Sequence, residues 1–256
     1  MTLPLLDRPS ALPQECVPGL VDLVVALADN KHSLGLRYAE WCSSGPTIEA
    51  GVAATGMAQD ELGHARVLYG LLEELPGAPR RSEHDWVAVD ARTVGFLDSA
   101  FPGWPHLIVA TVLLDQALTL VLETAGESRY LPLRQRARKI IEEEQYHALH
   151  GRGWFLQLAS EGPRVRALLA DIIRSAWADV VCWFGPAGGG ALGSLVAEGV
   201  LTGAGEPVRQ QFLQMTGPLL RDGGVPAPLR SEENGWVLTD PLPWKAWDER
   251  ARRVAR

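Results

Sequence analysis

Two Glu-x-x-His sequences, Glu61-x-x-His64 and Glu144-x-x-His147, are the residues of this chain best spaced to do chemistry. Positions i and i+3 share one side of a helix, so each carboxylate stands beside its imidazole. The second pair lies in "EEEQYH" (142–147), where three adjacent acids would ordinarily form a solvated helix face. Periodicity says otherwise. Leu133, Ala137, Ile140, Ile141, Glu144, His147, Ala148, Gly151, Trp154, Phe155 and Leu158 fall on one stripe at helical spacing, so Glu144 and His147 point inward. Ala50, Ala53, Ala54, Met57, Glu61, His64, Ala65, Leu68, Leu71 and Leu72 repeat the arrangement. One inward Glu–His pair is more often a satisfied core hydrogen bond than a ligand set. Two pairs, each centred on an apolar stripe, favour ligands.

A third stripe, Ile108, Thr111, Val112, Asp115, Leu118 and Leu122, carries a single acid, Asp115. A buried carboxylate without a counter-charge protonates or finds a partner. Three such acids and two imidazoles in one core call for a cation. Glu-x-x-His from two helices plus an acid from each of two others is the ligand pattern of ferritin-like di-iron bundles. Oxygen and imidazole donors suit iron or manganese. The fourth acid is absent. The first helix reads Leu20, Val24, Leu27, Lys31, Leu34, Gly35, Tyr38 on its inward stripe, and Lys31 stands where the carboxylate would be. Asp29 lies about 200° away around that helix. Glu61, Asp115 and Glu144 balance one divalent ion plus Lys31. Net charge is costly in a low-dielectric core, so a one-metal site or a Lys-filled, metal-free site is expected.

The elements that must position these residues are helices. Helical periodicity runs through about 19–42, 47–75, 105–125, from Pro132 to about 160, and 164–184, with a further helix at about 205–221. Thr47 is a cap for the second helix. A long connection occupies 76–104, and β-branched alternation is almost absent. The fold expected is all-α: a ferritin-like four-helix bundle with extra C-terminal helices. It forms one domain over 1–256, with the core bundle at about 19–184 and an appendage at 185–256. Small residues on the first two helices (Gly35, Ala53, Ala54, Gly56) suit close packing against another subunit. His32, His84, His106 and His150 read as surface or packing residues, as do Trp154, Trp177, Trp183, Trp236, Trp244 and Trp247.

The totals narrow the class. The 256 residues are 46% apolar and carry a net charge of −7, with acids and bases mixed along the chain, which argues against a nucleic-acid binder. Cys16, Cys42 and Cys182 are dispersed and form no CxxC, so neither a disulfide framework nor a zinc knuckle is expected. No cleavable signal and no stretch of 18 apolar residues is read, which points to a cytoplasmic protein without a membrane span.

With those residues in view, the chain resembles the ferritin-like subunits of the bacterial phenylacetyl-CoA epoxidase, the phenylacetate ring-oxidation complex. "LADNKHSLGLRYAEWC" (27–42) is similar to the structural, C-type subunit. "MAQDELGHARVLY" (57–69), "KIIEEEQYHALHGRGWF" (139–155) and "DIIRSAWADVVCWFGP" (171–186) resemble both types, the last being nearer the catalytic A-type. The resemblance implies metal ligands at Glu61, His64, Asp115, Glu144 and His147. It puts Lys31 at the position of the missing first-helix glutamate, so the chain stands between the two subunit types. It further implies iron-dependent O2 activation, an aromatic acyl-CoA substrate, a separate reductase, and pairing with ferritin-like subunits as a homo- or hetero-oligomer. Three functions follow: an O2-dependent ring oxygenase subunit, a scaffold paired with a catalytic homologue, or a ferritin-like metal-binding oxidase. The five retained ligands weigh against a pure scaffold, and Lys31 weighs against a standard oxygenase.

Overall fold

The computed structural model describes residues 4–84, 90–188 and 190–255. Helix α1 (Cys16–Ala39) pairs with α2 (Ile48–Leu72). The Thr47 hydroxyl accepts a hydrogen bond from Ala50 N at 3.1 Å and so caps α2, as its sequence position indicates. The 76–104 connection follows; its residues 85–89 lie outside those described. The third bundle helix is composite: α3 (Trp104–Val109), a π-helical turn (Ala110–Asp115) and α4 (Gln116–Ala125). Next come α5 (Leu131–Ser160) and α6 (Pro163–Cys182), each with a proline in its first turn, where no backbone donor is lost. The short α7 (Gly193–Ala197) and α8 (Glu206–Asp222) complete the helices. The architecture is the all-α, ferritin-like bundle expected.

α1 differs from a helix with one inward stripe. All of residues 23–35 are buried, because the bundle covers one side and the 76–104 connection covers another. The polar residues on that second side are paired. Asn30 Oδ1 accepts from Val94 N (3.0 Å), and Asp29 accepts from Tyr69 Oη (2.8 Å), Arg81 (2.7 Å) and Arg92 N (2.8 Å). Asp29 thus anchors the connection and stays out of the central site.

Two expectations need correction. Gly35 serves contact within the chain rather than between subunits: a Cβ there would lie 2.9 Å from Leu62 Cγ, which is how α1 and α2 approach so closely. Ala54 is likewise fully buried, whereas Gly56 faces open space. The tail is not strand-free. β1 (Leu229–Glu232) pairs antiparallel with β2 (Gly235–Leu238), and β3 (Trp247–Asp248) with β4 (Arg253–Val254). These strands are held by what they cover, with the Arg252 guanidinium over the Trp183 ring at 4.8 Å. The helix Trp104–Ala125 is long and apolar enough to cross a membrane by composition, but 89% of its most apolar window is buried inside the bundle, in line with the expectation that it is a core helix and not a span.

Gly151 lets α5 settle against the π-helical turn. A Cβ at this position would meet Thr111 Cγ2 at 2.7 Å and Val112 Cγ1 at 3.1 Å. Gly153, on the open side of the same helix, has nothing within 4 Å. Gly151→Ala should therefore destabilise the chain by about 1–3 kcal/mol through overpacking. Gly153→Ala should stabilise it by about 0.5–1 kcal/mol, since alanine is the better helix former. Urea denaturation of the two variants checks this opposite pair of signs.

Candidate functional site

The inward stripes meet as expected, and Lys31 lies at their centre. Its Nζ is 3.0 Å from Glu61 Oε1, 2.7 Å from Asp115 Oδ1 and 2.5 Å from Glu144 Oε1. All four side chains are buried to within 1%. An ammonium has three N–H donors, and each finds its own carboxylate. The π-helical turn ends at Asp115, while Thr111 within it shares a 3.0 Å hydrogen bond with Tyr38 Oη. Tyr38 also donates to Asp115 Oδ2 at 3.3 Å. Such turns recur at functional sites because one extra residue per turn re-aims a side chain.

The two histidines differ. His147 Nδ1 sits 3.1 Å from Asp115 Oδ2, 3.3 Å from Glu61 Oε1 and 3.4 Å from Glu144 Oε2, and its Nε2 is 3.4 Å from Asp60. Both ring nitrogens face carboxylates, which only accept, so the ring is held as imidazolium. His64 lies further out. Its Nε2 donates to Glu143 at 2.7 Å, which places the proton on Nε2. Its Nδ1 is 3.1 Å from Glu144 Oε1 without hydrogen-bond alignment.

Glu143 and Asp60 were not singled out from sequence, and Tyr38 and Thr111 were placed on inward stripes without a role. Glu143 and Asp60 each sit next to an inward glutamate and read as solvated. Only the register of α2 against α5 brings them to the outer nitrogens of the histidines.

The electrostatics follow from burial among like and unlike charges. Burial works against the Lys31 ammonium, but Asp115, Glu144 and Glu61 together hold its pKa well above the ordinary value. Burial and the Asp115 charge push the Glu61 carboxyl up to about 8, against the pull of Lys31. Glu144 goes the other way: burial would raise it, but Lys31, His147 and His64 hold it well below the ordinary carboxylate range. For His147 burial is outweighed by hydrogen bonds to Asp115, Glu144 and Glu61, which raise it far above the ordinary imidazole. With Lys31 and His147 as cations and Glu61 protonated, the carboxylate charge of the cluster is largely offset. That is the state a low-dielectric core favours.

Glu61, Asp115, Glu144 and His147 each offer a ligand atom, all within 4.8 Å of one another, so they form a group able to surround an ion. His64 is not one of those four. An ion at usual ligand distances of roughly 2.0–2.2 Å from the three carboxylates would coincide with Lys31 Nζ. The ammonium and a dication therefore exclude one another, and with Lys31 in place the residues do not fit a two-metal centre. Glu61 Oε2, Glu144 Oε2 and His64 Nδ1 are buried and without hydrogen-bond partners.

A helical bundle with carboxylates and imidazoles at mid-height, drawn from three helices, is of the ferritin-like class. Within that class the chain belongs to the phenylacetic acid catabolic protein family, which it matches over residues 6–236. No curated protein matches the chain.

Lys31→Met would leave buried carboxylates without their cation, which should cost about 3–5 kcal/mol of stability near neutral pH. The pH dependence of the unmodified protein has a defined sign. The folded chain keeps the Glu61 proton up to about 8, while the unfolded chain releases it around 4.5. His147, raised from 6.5, acts in the same direction at higher pH. Both contributions are full below the unfolded values and are lost as pH rises. Glu144, depressed, stabilises above 4.5 and loses its contribution as pH falls further. Urea midpoints should therefore peak near pH 4.5 and decline from there towards pH 8 and beyond.

Proposed function

We propose that the chain serves phenylacetate catabolism as a ring-oxidation subunit whose ferritin-like metal site is filled by its own lysine. It supports a metal-loaded homologous subunit and does not itself carry the O2 chemistry. The observation behind this reading is the set of distances from Lys31 Nζ to Glu61, Asp115 and Glu144, 3.0, 2.7 and 2.5 Å. In this assignment Glu61, His64, Asp115, Glu144 and His147 are retained ligand positions, and Lys31 turns their negative charge to structural use. The acyl-CoA substrate, iron and reductase then belong to the assembly, through a ferritin-like partner in the cytoplasm.

A second reading is favoured by the three unpartnered atoms Glu61 Oε2, Glu144 Oε2 and His64 Nδ1. In it, Lys31 swings aside and one iron or manganese ion is bound by the retained carboxylates and histidines. The chain would then be an aryl-CoA oxygenase subunit or a ferritin-like oxidase in its own right.

Elemental analysis separates the two. Protein purified from iron-rich growth should carry no stoichiometric iron or manganese. Lys31→Glu should take up about two irons per chain, since four carboxylates balance two divalent cations. Unmodified protein holding a full equivalent of metal would support the second reading. A Lys31→Glu variant that folds and binds nothing would contradict the assignment of these positions as retained ligands.

A further inference from the structure

Away from the bundle centre, an open cleft of about 660 Å3 lies between the first turns of α1 and the segment that follows α2. Three arginines line it, Arg81 and Arg92 from the 76–104 connection and Arg250 from the C-terminal tail. The one acid among its lining residues is Asp22. Asp22 is shared, lying 2.6 Å from Arg92 and 3.7 Å from the Nε of Arg250. Arg81 reaches past the cleft to the buried Asp29 at 2.7 Å. Three guanidinium groups against Asp22 and Asp29 leave a local excess of positive charge, in a chain whose net charge is −7. The rest of the lining is apolar and stiff, with Val17, Val21, Pro76 and Pro79 among it. Gly77, at φ +72°, makes the turn that carries the chain around the rim.

Arg92 and Arg81 are held in place, and Arg250 stands at the open rim, 3.7 Å from Asp22. Arg92 also donates to the carbonyl of Arg250 at 3.3 Å, and Arg81 donates to the carbonyl of Asp90 at 2.7 Å. Fixed planar guanidinium groups recognise multivalent oxyanions better than mobile ammonium groups do, because less freedom is lost on binding. A cleft of this size with a few convergent charged groups and an apolar wall is of small-molecule dimensions.

We propose that this cleft binds a small organic phosphate, its phosphate oxygens facing Arg92 and Arg250 and its organic part lying on the Val21, Pro76 and Pro79 wall. Asp22 is the built-in competitor: it occupies the same guanidinium donors when the cleft holds no ligand. The site is separate from the Lys31 cluster and does not depend on how that cluster is read.

The test is isothermal titration calorimetry of the full chain with phenyl phosphate, with sulfate and benzoate as controls. Arg250 is largely exposed, with 77% of its side chain accessible, so Arg250→Glu should leave the fold intact by circular dichroism. It should weaken phenyl phosphate binding by about tenfold or more, since a charge-assisted contact is replaced by repulsion. Asp22→Asn removes the competitor and should tighten binding several-fold. Absence of binding at millimolar phenyl phosphate overturns the proposal. So does binding that sulfate matches and Arg250→Glu leaves unchanged, the mark of an adventitious ion only. Benzoate binding as tightly as phenyl phosphate would assign the cleft to carboxylates and overturn the phosphate assignment.

Discussion

The Lys31 ammonium among Glu61, Asp115 and Glu144 is the interaction on which the rest of the bundle depends. Three carboxylates at the centre of an apolar core would repel one another and resist desolvation. The ammonium alone would be equally unfavourable there. Together, with His147 as a second cation and Glu61 protonated, they offset one another's charge in a compact set in which every Nζ proton is donated. α1 is tied to α2, to the π-helical turn and to α5 through one atom. Such a cluster does not maximise stability, because an apolar core of similar volume is often as stable or more so. Its value is in register: sliding any of these helices by one turn would break the set.

The surrounding geometry serves that convergence. The close α1–α2 contact at Gly35 brings Lys31 level with Glu61. The π-helical turn and the Gly151 contact present Asp115 and Glu144 to the same point. Tyr38 and Thr111 then restrain the Asp115 carboxylate. On the opposite side of α1, Asp29 and Asn30 bind the connection, so this helix is enclosed and Lys31 has no path by which to snorkel into water. The ferritin-like bundle is kept here, and the cation at its centre is an ammonium.

Much of this was legible in the sequence because burial of charge is expensive and periodicity reveals it. Lys31 on an apolar stripe, level with two Glu-x-x-His pairs, could be read as entering the site, and it does. The bundle, Thr47 as a cap and the separation of Asp29 from the centre followed from the same spacing rules. What was not legible depends on relations between elements. Glu143 and Asp60 look like ordinary surface acids until the α2–α5 register sets them against the outer nitrogens of His64 and His147. The π-helical turn leaves no mark, because "ATVLLD" is equally compatible with an ordinary α-helix. The tail strands are too short to show alternation, and they persist by packing their tryptophans and Arg252 onto the helices. Gly35 was read as a surface for a neighbouring subunit, because a small residue signals close approach without saying to what.

The central claim is that a lysine nitrogen stands where this class of bundle would otherwise coordinate metal. Anomalous diffraction at the iron edge, from crystals grown with excess ferrous iron, tests it most directly. The account predicts continuous density for Lys31 ending among Glu61, Asp115 and Glu144, with no anomalous peak between them. An anomalous peak coordinated by those carboxylates, with Lys31 turned away, would contradict it.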